Sequence, residues 1–342
     1  MYLAFLKSCK SISAHNIHIL SLMTNSLIEI FSINVNKLSC LIFSSIRKLS
    51  ETIRIAIKDS SKDNLKKVFS WPFCAAIKLW GLLLARTDSE KIADLISPTI
   101  SLCMELCCFQ VTNFYAPFYL QMVRIALELM EKKQIFIPVN HILGHMIKTI
   151  CSRKIEGSAK ITGAVYCISF MIKASASDQS NPSYREALFE DCHTLLMKYI
   201  GITSTWACFP EIGLNCQNLL AAAIADCPHK KFKTTLTVSK NKLHSLIDNT
   251  LKARISCELP PNSYDKCHEQ ENFAPIDFKA YVTSLDSVQK LKEQQAEKMA
   301  PKYSITKSSA KETKIAKSKS IQKSKKKVNL DIDDDQLVNF EL

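Results

Sequence analysis

The chain has 342 residues, room for one large unit or two modest ones with a core that needs no disulfide or metal staples. It is 47% apolar and holds only 6 glycines and 11 prolines, which excludes a many-stranded sandwich or barrel and a series of phosphate-cradling loops. Lys plus Arg number 45 against 32 Asp plus Glu, and the net charge of +13 suits polyanions such as RNA or acidic protein surfaces.

The opening MYLAFLKSCK is interrupted by Lys7 and Lys10 and lacks a small-residue cleavage site, so it reads as a helix rather than a secretory leader. The richest apolar run, ISLCMELCCFQV, is shorter than a membrane span and contains Glu105. The expectation is a soluble intracellular protein with no membrane partner, whose 14 cysteines stay reduced.

Between residues 70 and 151 apolar side chains recur every three or four positions in four segments. They are Phe73, Ile77, Trp80, Leu84; then Ile92, Ile96, Ile100, Cys103, Cys107; then Phe118, Met122, Ile125, Leu129; then Val139, Leu143, Met146, Ile150. Ser70, Asp88 or Ser89, Pro117 and Pro138 mark the starts of four helices. A helix pair thus repeats in roughly 45 residues, within the range of HEAT and armadillo arrays, although an irregular bundle has the same spacing.

After a polar break at 175–183 the pattern returns in Tyr184, Leu188, Cys192, Leu195 and Tyr199, then Ile212, Cys216, Leu219 and Ala223, then Leu243, Ile247 and Leu251. It stops near Pro260 and Pro261; residues 262–290 are mixed, and Lys and Ser dominate from 301. The fold class expected is all-α, a HEAT/armadillo-like helical repeat array (α-solenoid) over 1–290, followed by a disordered tail over 291–342. That tail is basic at 302–327, with ten lysines and one acid, then acidic at 331–341, with five acids and no base.

Sites of chemistry are sparse. His141 and His145 in HILGH have the i, i+4 spacing of zinc ligands, but Ile142 stands where a zinc protease needs Glu, and Cys151 is the nearest third ligand. Cys103, Cys107 and Cys108 cluster, and Cys227 lies two before His229, yet no C-x-x-C pair exists; core thiols are the reading. The phosphate-loop, dinucleotide and serine-hydrolase glycine motifs are absent. No catalytic residue, metal or cofactor is expected. Glu128 and Glu131, beside Lys132 and Lys133, read as a solvated face. Lys317, Lys319, Lys323, Lys325, Lys326 and Lys327 form a run fit for nuclear import or for sequence-blind contact with RNA phosphates, since only Tyr303 is nearby for stacking.

Seven words then stand in a telling order: SLIEIF (26–31), SSIRKLSETIR (44–54), VFSWPFCAAIKLW (68–80), ISPTISL (96–102), YAPFYLQMVRIALELMEKKQIFIPV (115–139), SYREALFEDCHTLL (183–196) and CFPEIGL (208–214). Together, over about residues 20–280, they resemble the nucleolar complex protein 2 family of ribosome-assembly factors, with Lys48 and Ser50 standing where that family favours Gln and Ala. The chain begins inside what would be the family's helical part.

The resemblance implies a non-catalytic scaffold of the nucleus, in nucleolus and nucleoplasm. Its implied partners are a sister nucleolar complex protein and large-subunit precursor particles during rRNA processing and intranuclear transport, with direct, sequence-nonspecific contact to pre-rRNA. Within the motif words, Trp71, Trp80, Phe136 and Phe209 are expected in the core, and Tyr115, Tyr184 and Glu211 as structural or partner contacts. Pro117, Pro138 and Pro210 read as helix starts, while Arg47 and Arg124, set in apolar stretches, call for an internal ion pair or an interface. An importin-like transport adaptor is the alternative, and an enzyme using His141 and His145 a more distant one.

Overall fold

The structure, a computed structural model, describes residues 1–13, 16–109, 112–152, 166–206, 208–256 and 276–299. Among the described residues there is no strand. The chain divides into Met1–Ala300 and Pro301–Leu342; the second unit, with the expected basic and acidic tail and its six lysines, lies outside the described residues.

In chain order the first unit comprises α1 (Tyr2–Ser8), α2 (Ile17–Ile33), α3 (Val35–Lys58), α4 (Lys62–Val68), α5 (Trp71–Arg86), α6 (Glu90–Ala93) and α7 (Ile96–Cys108). There follow α8 (Ala116–Lys133), α9 (Asn140–Ser152), α10 (Ala176–Ser180), α11 (Pro182–Thr203), α12 (Phe209–Ala225), α13 (Lys230–Ser256) and α14 (Ile276–Met299).

Local chemistry sets many of the starts. The Ser70 hydroxyl accepts from the Phe73 amide to cap α5, Pro117 and Pro210 occupy the first turns of α8 and α12, and Ser175 forms a capping box with Asp178 ahead of α10. Pro138 precedes α9 by two residues. The second expected helix is two: α6 stops at Ala93 and α7 restarts at Ile96. Pro98 explains the break, since a helix running through it would set its ring against the carbonyl of Asp94, whereas a restart at Ile96 places it in a first turn. Helical structure also passes the expected limit of 290, because the Gln, Glu, Lys and Ala of residues 290–299 are good helix formers that extend α14 to Met299.

The core follows the periodic positions. Phe73, Ile77, Trp80 and Leu84 of α5 and Phe118, Met122, Ile125 and Leu129 of α8 are all buried, as are Leu188, Cys192, Leu195 and Tyr199 of α11. Leu251, expected on the inner stripe of α13, is instead exposed, and Ile212 and Leu219 of α12 are half-buried. Packing passes from α5 to α8, from α8 to α11, then through α9 and α12 to α13, while α14 returns to lie on α11. Close crossings need glycine: a Cβ on Gly81 of α5 would meet Ile125 of α8 at 2.5 Å, and one on Gly213 of α12 would meet Ile247 of α13 at 2.8 Å.

The stretch Lys62–Arg86 is long and apolar enough by composition to cross a membrane, but 72% of its apolar window is buried inside the protein, and the chain breaks at Phe69–Ser70. Its apolarity is that of a core helix.

Candidate interaction surfaces

Several motif residues prove to be packing elements. Trp80 joins three helices: its Nε1 donates to Tyr2 Oη of α1 at 3.3 Å, and its ring stacks 5.8 Å from Phe31 of α2. Phe209, Pro210, Pro117 and Tyr184 are buried, Tyr184 edge-on to Tyr166 at 5.6 Å; Tyr115 is half-buried and stacked 3.7 Å from Phe69.

Two expected core aromatics lie elsewhere. Phe136 is 52% exposed, because after α8 the chain runs extended and alternate residues face opposite ways: Ile137 and Val139 point inward, Phe136 and Pro138 outward. Trp71 is half-buried, since two residues before Phe73 is about 200° around the helix, on the face of exposed Lys78.

The arginines part company too. Arg47 is not internal; it lies off the Ile46, Leu49, Ile53 stripe with its side chain 69% exposed, paired with Glu51 one turn on at 3.1 Å. Arg124 of α8 does form the internal pair. Its Nη2 reaches both carboxylate oxygens of Asp191 in α11 at 2.5 Å, with Arg124 23% and Asp191 5% exposed. Burial alone would lower the Arg124 pKa, but the adjacent Asp191 more than offsets that and holds it above its ordinary value.

Asp191 also accepts from Gln289 Nε2 of α14 at 2.6 Å; nearby, Ser169 Oγ donates to Glu293 at 2.6 Å and Lys292 pairs with Glu190. Asp191 and Gln289 were not singled out in the sequence. The available signal was an Asp one residue before Cys192 on a helix whose apolar positions continue around it.

Beside this polar lattice lies a cleft of about 500 Å³ between α11, α13 and α14, lined by Phe189, Phe232, Leu285 and Val288 among others. The charges on its rim are matched, Lys231 with Glu186 and Lys292 with Glu190. His193 stacks on Phe189, and its Nε2 lies 2.7 Å from the hydroxyl of buried Ser239. Burial pushes the His193 pKa down to about 4, so the ring is neutral at pH 7. With Ser239 buried and Asp191 committed to Arg124 and Gln289, the arrangement holds helices together rather than activating a nucleophile.

The weaker motifs resolve simply. His141 and His145 are exposed on α9, and among the described residues no three His, Cys, Asp or Glu side chains group to hold a metal ion. Cys103 and Cys107 are buried core thiols, Cys103 pushed up to about 12 by burial and Cys107 well above its ordinary value, while Cys108 is exposed. Glu211 binds Arg254 of α13 through both oxygens at 2.9 and 2.7 Å; those hydrogen bonds hold its carboxyl below the usual range.

What remains accessible is mostly helix exterior. The outer side of α2 shows Ile19, Leu22, Ile30 and Ile33, and that of α3 shows Lys37, Lys48, Arg54 and Lys58 together with Leu41, Phe43, Ile55 and Ile57.

The chain is 21% identical over 238 residues to nucleolar complex protein 2 of Drosophila melanogaster, covering 69% of this chain and 31% of the relative. It is 24% identical over 212 residues to nucleolar complex-associated protein 2 of Arabidopsis thaliana, covering 61% and 27%, and 22% identical over 233 residues to the nucleolar complex protein 2 homologue of Caenorhabditis elegans, covering 65% and 32%. The chain thus spans about a third of the length of these curated relatives. The Noc2p family model matches residues 1–288, nearly the whole described body, and the chain belongs to that family.

Proposed function

We propose that the chain is a non-catalytic scaffold of large-ribosomal-subunit assembly, acting in the nucleolus and nucleoplasm. It docks a sister nucleolar complex protein and precursor particles of the large subunit during rRNA processing and intranuclear transport. The observation that carries this reading is the family match over 1–288, in a body where the buried Arg124–Asp191 and His193–Ser239 contacts join helices. The order of packing, from α5 through α8, α11, α9 and α12 to α13, supports a HEAT-like array in which inner seams hold the fold and outer faces receive partners.

Affinity purification of the full chain from nuclei, read by mass spectrometry and RNA sequencing, tests it. Assembly factors and precursor rRNA of the large subunit are the expected catch. Recovery of nuclear pore proteins without rRNA favours a transport adaptor and overturns the scaffold reading.

A further inference from the structure

Helix α3 is amphipathic in a particular way. At about 100° per residue, its buried Val35, Ile42, Ile46, Leu49, Ile53 and Ala56 occupy one arc, and the opposite arc, roughly 120° wide, collects every base of the helix. Those bases are Lys37, Arg47, Lys48, Arg54 and Lys58, all exposed, and Glu51 is the only acid among them. Arg47 is engaged by Glu51 within the helix. Lys37, Lys48, Arg54 and Lys58 form no ion pair with an acid among the described residues.

At 1.5 Å per residue the row runs about 32 Å, and α4, packed on α3, adds exposed Lys62. The cleft rim is the contrast: there each lysine meets a glutamate from the neighbouring helix.

We propose that the outer face of α3 is a binding surface for the phosphate backbone of RNA, with Lys37, Lys48, Arg54 and Lys58 as the contact residues. The chemistry is counterion release. Four uncompensated charges spread over one arc of a rigid helix, at axial gaps of roughly 16, 9 and 6 Å, each neutralise a phosphate of a strand lying along it and read no base edges. An acidic protein partner is the less favoured occupant: exposed Leu41, Phe43, Ile55 and Ile57 lie in and beside this face, but no two of them are three or four residues apart, so they do not form the apolar seam that anchors a docked helix. The chain's lysine run at 302–327 carries the same sign and belongs with the same class of partner. The proposal rests on the assembly-factor reading for which RNA is met, and adds where on the folded body that RNA is held.

The test is fluorescence anisotropy of the full chain with a labelled single-stranded RNA of about 20 nucleotides, titrated between about 50 and 200 mM salt. Three forms are compared: the natural chain; Lys37→Gln, Lys48→Gln, Arg54→Gln, Lys58→Gln together; and a charge-matched control on other surfaces, Lys132→Gln, Lys230→Gln, Lys233→Gln, Lys252→Gln. All eight positions are exposed and unpaired among the described residues, and circular dichroism verifies that each form stays helical.

The expected result is a salt slope shallower by about 3 in the α3 form, at roughly 0.7 per phosphate contact, with affinity down about tenfold or more at low salt, and little change in the control. An unchanged slope in the α3 form, or an equal change in both forms, overturns the proposal. So does binding of polyglutamate that the α3 substitutions abolish while RNA binding persists, which would assign the face to an acidic protein. Recovery of precursor particles from nuclei is scored separately: its loss in the natural chain sinks the assembly reading, whereas its presence with an unchanged slope sinks the RNA face alone.

Discussion

Helices α8 and α3 are both long and rich in apolar residues, yet they do opposite work. In α8 the buried set includes Phe118, Tyr119, Leu120, Met122, Val123, Ile125, Ala126 and Leu127, so that apart from half-buried Gln121 and Arg124 its first half lies inside, against α5, α7 and α11. In α3 the buried set recurs only every three or four residues, and the opposite arc is basic. Inner helices such as α8 fix the fold, and their few polar groups must be paired internally. Outer helices such as α3 fix little by their exposed side and leave it free for a partner. A substitution should therefore act on stability at the first and on binding at the second.

The largest break in that contrast is Trp80→Ala. It removes the ring that holds α1 and α2 on α5, and should cost about 4 kcal/mol in chemical denaturation, against under about 0.5 for Lys48→Ala on α3. Next is Arg124→Ala, which strands the buried Asp191 carboxylate and should cost about 3 kcal/mol; Arg124→Met with Asp191→Leu should recover more than half, since two apolar side chains leave no buried charge. Equal stability of the single and double variants would refute that.

The third is a pH effect. The folded pKa of His193, about 4, lies below its ordinary value of 6.5, so the unfolded chain binds the proton more readily. Its contribution is fully present above pH 6.5 and is lost as pH falls toward 4. Between pH 7 and pH 5 this amounts to about 2 kcal/mol, and His193→Gln, which can still bond Ser239, should flatten the denaturation midpoint over that range. The smallest effect belongs to the exposed pair Glu211–Arg254: Glu211→Gln should change stability by about 0.5 kcal/mol or less, and less still in high salt.

The sequence made the inner helices easy to see because burial there follows a three-to-four residue rhythm; Phe73, Ile77, Trp80 and Leu84 are inside for that reason alone. It misled where a residue kept apolar company without sharing its face. Arg47 sits between Ile46 and Leu49 in the chain but around the helix from both, and Phe136 falls in an extended segment with a period of two. Long-range polar partners were illegible: Asp191 is 67 residues from Arg124 and 98 from Gln289, and nothing local to any of them announces the others. The basic face of α3 was legible in principle, from a lysine and arginine arc opposite an apolar one, but only the structure shows which of its bases lack an acid from a neighbouring helix.

The division between inner and outer helices is tested most directly by hydrogen exchange of the full chain, free and bound to isolated large-subunit precursor particles. Amides of α5, α8 and α11 should exchange slowly and equally in both states, while α3 gains protection on binding. New protection confined to α5, α8 and α11, with α3 exchanging as in the free chain, would contradict the account.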